Sequence, residues 1–144
     1  MEDHAWNVVD IYGQYYHLDV TFNLTMTDAH KRYDYFNLTD IDILKDHKMD
    51  DKLPPCMSTK SNYFVLQSSI VDNLSSLENY FVRSINQGEK AMLFKIGFPH
   101  DQDKIENSIL DLAKNVYYSQ TNKSFCIEAR SNKIQGVYEL KFIE

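Results

Sequence analysis

Ile105, Ile109, Leu112 and Val116 recur at helical spacing through DQDKIENSILDLAKNVYYSQ, and no other feature restricts the fold as strongly. A single apolar stripe on an otherwise polar helix has to be covered by another element. The flanking sequence offers strands to do so: KAMLFKI before it, then SFCIEAR and VYELKFI alternating around SNKIQG as a hairpin. Further upstream, Ser75 and Glu78 form an S-x-x-E cap ahead of a helix that uses Leu77, Phe81 and Ile85 and stops at Gly88. NYFVLQSSIV reads as one more strand. Residues 61–144 are thus expected to form a compact β-α-β-α-β-β unit, with Cys126 in its core between Phe125 and Ile127.

Residues 1–60 read differently. HAWNVVDIYGQYYHLDVTFN, positions 4–23, is a β-hairpin turning at Tyr12-Gly13, since glycine supplies the positive φ of a tight turn. A loop follows, then a short helix at 40–46 with Thr39 as N-cap, Asp42 reaching back to it, and Ile41 and Leu44 on one side. DHKMDDKLPPCMSTKS, interrupted by Pro54-Pro55, is a connector, and the internal boundary is placed near 60. The class is therefore α+β: an antiparallel hairpin followed by the second unit.

Composition narrows the function. A net charge of −6 with scattered lysines argues against a nucleic-acid partner. No apolar run of about 18 residues predicts a membrane span, and no apolar leader opens the sequence. The two cysteines, Cys56 and Cys126, lie far apart with no CxxC pair, so neither a structural zinc nor a disulfide is indicated and the compartment stays open.

The hairpin carries the chemistry. With a two-residue turn, Ile11 lies opposite Gln14, so Val8 faces His17, Trp6 faces Asp19 and His4 faces Thr21. Val9, Ile11, Tyr16, Leu18, Val20 and Phe22 then share an apolar face. Asn7 is the only polar member of that face, and His4, Trp6, Val8, Tyr15, His17, Asp19 and Thr21 share the other. This register alone segregates the apolar set. It sets His4 and Asp19 on diagonal strand positions roughly 5–8 Å apart at Cβ, within reach of a hydrogen bond. A carboxylate on one ring nitrogen fixes the tautomer and frees the other nitrogen as a general base.

HAWN, a glycine turn and YYHLDVTFN closely resemble the His and Asp segments of the transglutaminase-like superfamily, and YDYFNLTDIDILKDHK resembles the segment that follows in bacterial members. The likeness covers roughly positions 3–48. It implies a papain-like Cys-His-Asp site in which His4 is the base, Asp19 the orienting acid, and Trp6 and Thr21 line the site. The implied reaction is acyl transfer or hydrolysis at an amide of a peptide or protein substrate, with no cofactor. The family's cysteine opens a helix well before the histidine, and only Met1, Glu2 and Asp3 precede His4 here. This chain is therefore expected to be the C-terminal part of such a protein, inactive alone and able to pair with a second copy through open strand edges.

Cys56, downstream of both partners and behind two prolines, is the weaker candidate nucleophile, lacking the helix start or cation that lowers a thiol from about 8.5. No serine or threonine stands in a nucleophile elbow. His4, His17 and Asp19 on one face could together hold iron or zinc, but the likeness accounts for His4 and Asp19 without a metal, and none is expected. His17 is read as a solvent-facing strand residue, and His30, His47 and His100 as solvated. The alternative function is a non-catalytic binding or oligomerisation protein keeping a vestigial hairpin.

Overall fold

The computed structural model describes residues 5–25, 32–49 and 53–144. His4 and His30 lie outside the described residues. The chain divides into two compact units, Met1–Ser68 and Ser69–Glu144. Both mix helix and strand, so the α+β class holds. Among the described residues no helix is long and apolar enough to cross a membrane.

In the first unit β1 (Asn7–Ile11) and β2 (Gln14–Leu18) form the hairpin in the expected register, Val8 opposite His17 and Ile11 opposite Gln14. Tyr12 (φ 51°) and Gly13 (φ 81°) both occupy the left-handed region, the geometry whose twist matches that of paired strands. The second strand is shorter than expected. It gives way at Asp19 to α1 (Val20–Thr25), because Asp19 Oδ1 accepts from the Phe22 N–H at 3.0 Å and caps the helix. Opposite the hairpin turn, the free side of β2 is taken up by the loop: His17 exchanges both backbone hydrogen bonds with Leu38.

This loop also corrects the expected solvent-facing side of the hairpin. His17 is fully buried, while Val20 on the expected apolar face is half exposed. Tyr35, Leu38 and Ile43 form a small core that packs Trp6, Phe22 and Met49. α2 (Asp40–Ile43) starts on Thr39, whose Oγ1 accepts from the Asp42 N–H, and buries Ile43 rather than Ile41 or Leu44. The strand expected over NYFVLQSSIV is present only at its end, Ile70–Val71, and its first part is α3 (Tyr63–Leu66). Asn62 caps it through the Phe64 N–H, Phe64 is buried, and Tyr63 stacks on Tyr33 at 4.0 Å. A local cap and two aromatic contacts here override β propensity.

The second unit runs β3 (Ile70–Val71), α4 (Leu74–Asn86), β4 (Ala91–Ile96), α5 (Ile105–Thr121), β5 (Cys126–Asn132) and β6 (Val137–Ile143). Its four-stranded sheet has the order β3-β4-β6-β5, with β3 parallel to β4 and the other pairs antiparallel. Leu77, Phe81 and Ile85 of α4 and Ile105, Ile109, Ala113 and Val116 of α5 pack with Met92, Phe94, Tyr138, Leu140 and Phe142 of the sheet. The cap of α4 lies earlier than expected. Asn73 accepts from the Ser76 N–H at 2.8 Å, and Ser76 Oγ accepts back from Asn73, in place of Ser75 and Glu78. Cys126 is exposed, not core. Phe125 and Ile127 pack against the core, so strand alternation turns the residue between them to the opposite face.

Candidate functional site

Two imidazole–carboxylate pairs, each with a buried histidine, organise the first unit, and Trp6 touches both imidazoles. In the first, Asp19 is 1% exposed. One of its oxygens caps α1, and the other lies 2.7 Å from His47 Nε2. His47 Nδ1 is 2.7 Å from Asp46 Oδ1, and Tyr35 donates its hydroxyl to the other oxygen of Asp46 at 2.5 Å. Phe22, Trp6 and Tyr35 surround the ring with centroids at 4.5, 4.9 and 5.3 Å. Both ring nitrogens face carboxylate oxygens, so the group holds two N–H donors, or one N–H and a carboxylic proton. His47 is therefore a buried member of the site, not a solvated residue. The turn that ends α2, with the His47 N–H on the Ile43 carbonyl, carries it inward.

The second pair has a defined tautomer. The Trp6 indole N–H can only donate, and it lies 3.0 Å from His17 Nδ1, so that nitrogen is the acceptor. The proton then sits on Nε2 and is donated to Asp40 Oδ1 at 2.6 Å. Asp40 also binds the Cys56 segment in both directions. Its N–H donates to the Cys56 carbonyl at 2.8 Å, and its Oδ2 accepts from the Cys56 N–H at 3.3 Å.

Cys56, His17 and Asp40 bring their donor atoms within 4.8 Å of one another. Two observations weigh against reading this as a nucleophile or a metal centre. Burial first, and then the charge and hydrogen bond of Asp40, push the Cys56 thiol up to about 11. It stays protonated at neutral pH and donates toward the Pro54 carbonyl at 3.6 Å. Metal ligation through His17 Nε2 would require the remaining ring proton on Nδ1, where Trp6 already places one.

The expected site residues therefore separate. Trp6 contacts both pairs, Asp19 is held by His47, and His17 is held by Asp40. His4, the expected base, lies outside the described residues. Thr21 falls on α1 with its side chain exposed. Of the three residues weighed as metal ligands, His17 and Asp19 are bound to different partners, and His4 lies outside the described residues. His47, Asp46 and Asp40 were missed. The signal for the first two was present, an acid next to a histidine at the end of KDHK, inside the segment that carries the family likeness. Searches against protein-family models and curated proteins return no match to this chain.

Proposed function

We propose that residues 4–47 are the base-and-acid part of a transglutaminase-like Cys-His-Asp site, with His4 the general base and Asp19 the carboxylate that orients it. The observation that carries this reading is the setting of Asp19. It is a buried carboxylate held at both oxygens, by the Phe22 N–H and by His47, directly after a hairpin that pairs Val8 with His17. An orienting acid has to be fixed in this way, because its work is to hold one imidazole tautomer in one direction. Trp6 packs edge-on against His47. The chemistry is thiolate attack on an amide carbonyl of a peptide or protein, followed by release to water or to an amine. In this reading the thiolate comes from a segment outside these residues, since Cys56 is buried and its thiol is protonated at neutral pH.

The same thiol chemistry favours a second reading, a non-catalytic protein with a vestigial hairpin. One experiment separates the two. The natural reading frame containing these residues is expressed, and ammonia release and amine incorporation are measured on a glutaminyl peptide, alongside hydrolysis of the peptide. Under the catalytic reading, His4→Ala and Asp19→Asn each lower the rate by ~10²-fold or more. Rates that survive His4→Ala, or a frame with no further reactive cysteine and no turnover, would leave the non-catalytic reading standing.

A further inference from the structure

Trp6 stands between two histidines of the first unit and is tied to them unequally. Its indole N–H donates to His17 Nδ1 at 3.0 Å, whereas its ring meets His47 edge-on with centroids 4.9 Å apart. On the far side of His17, the Nε2 proton is donated to Asp40 Oδ1 at 2.6 Å. Nδ1 is thus the one ring position with a lone pair, and any second proton has to enter there.

That proton acts oppositely on the two neighbours of His17. Toward Asp40 it turns a hydrogen bond into an ion pair, which favours the charged ring. Toward Trp6 it sets one N–H against another, because an indole nitrogen can only donate. Attraction becomes repulsion, and one partner has to move. His17 is fully buried, paired with Val8 across the hairpin and joined to Leu38 by two backbone hydrogen bonds. Trp6 is only partly buried and immediately precedes β1. The indole is the side that gives way.

We propose that His17 is a proton-operated latch: the neutral ring holds Trp6 against His47, and protonation at Nδ1 releases it. The other ionisable groups nearby do not duplicate this switch. The Cys56 thiol lies on the Asp40 side and is pushed up to about 11, so acidification leaves its charge unchanged. His47 lies beyond the indole with its two nitrogens turned to Asp19 and Asp46, so a proton there meets carboxylates instead of the indole N–H. Release withdraws the indole edge from His47 and so removes packing from the pair that holds Asp19. Under the proposed function this makes the site acid-sensitive through a residue that does not touch the reacting amide, and that consequence alone rests on that reading.

Nuclear magnetic resonance of the full chain tests the latch, since Trp6 is the only tryptophan and gives one indole N–H signal. On acidification from about pH 8, while the chain stays folded, this signal is expected to lose its protection from solvent exchange. The loss follows the same curve on which the His17 ring nitrogens report the second proton. His17→Asn keeps an oxygen for the indole and takes up no proton, so the signal becomes independent of pH. Asp40→Asn removes the charge that favours the imidazolium and moves the transition to lower pH. Trp6→Phe removes the opposing N–H and moves the titration of His17 to higher pH. Circular dichroism checks that each variant folds. A His17 ring that stays singly protonated until the chain unfolds, an indole signal indifferent to its protonation, or a Trp6→Phe variant that titrates where the wild type does would each overturn the inference. None of these measurements involves turnover, so their failure leaves the proposed function standing. A natural reading frame without turnover would remove that function and leave the latch, which is read on the indole.

Discussion

At the scale of single residues, Tyr12 and Cys56 carry clear expectations. Tyr12 is fully exposed and holds φ 51°, a conformation in which a bulky side chain has no packing to repay its strain. Tyr12→Asn should raise the stability of the first unit by up to about 1 kcal/mol, read as a higher urea midpoint by fluorescence. An unchanged or lower midpoint would show that Tyr12 is held by something its exposure does not reveal. Cys56, with its thiol near 11, should be alkylated by iodoacetamide at pH 8 on the order of a hundredfold more slowly than an ordinary thiol. A Cys126→Ser background isolates this signal, and urea should restore the normal rate. A fast reaction in the folded chain would revive Cys56 as a nucleophile. From sequence, Cys56 could be placed only as downstream and unactivated. Its thiol is raised first by burial and then by Asp40, sixteen positions away, and no local pattern encodes either.

At the scale of elements, caps decided where the sequence was readable. α5 follows from its stripe alone, and the hairpin register follows from the apolar set and the turn, so both were legible. The end of β2 was not. Asp19 reads equally as a strand residue or as an N-cap, and the choice is made by Tyr35, whose carbonyl takes the Asp19 N–H at 3.0 Å. Likewise Asn62 turned a β-rich run into α3. The same ambiguity hid half of the candidate site. Asp19 and Trp6 were identified, but His47 was not, because nothing within 40–48 announces that the chain folds back against the hairpin. Asp19→Ala removes both the cap of α1 and the partner of His47, and should cost roughly 2–4 kcal/mol. Asp19→Asn keeps an oxygen for the Phe22 N–H and should cost less. Equal losses in urea titrations of the two variants would mean that the cap contributes nothing.

At the scale of the whole chain, the α+β class and the order of the second unit were legible because its apolar periods are long and uninterrupted. The first unit resisted because its interior is made of polar and aromatic groups whose pairing is three-dimensional. The second unit also carries a pH dependence. Glu144 is held well below its usual range, to about 2 from 4.5, first by Lys90, then by the Tyr117 hydroxyl, and to a lesser degree by Lys123. A carboxyl depressed in the folded state contributes stability that is fully present above 4.5 and is lost as pH falls toward 2. The group is exposed, so the effect is screened by salt. Denaturation of the second unit should therefore become easier across that window at low ionic strength, and Glu144→Gln should flatten the dependence there. A variant with the wild-type pH profile would contradict this assignment.

Trp6 is the only tryptophan in the chain, and it donates to one buried imidazole while packing edge-on against the other. Its emission is consequently a single lamp lit by two circuits. Loosening Asp40 or loosening Asp19 alters the same spectrum, and a change in brightness acquires an address only when the two substitutions are recorded side by side.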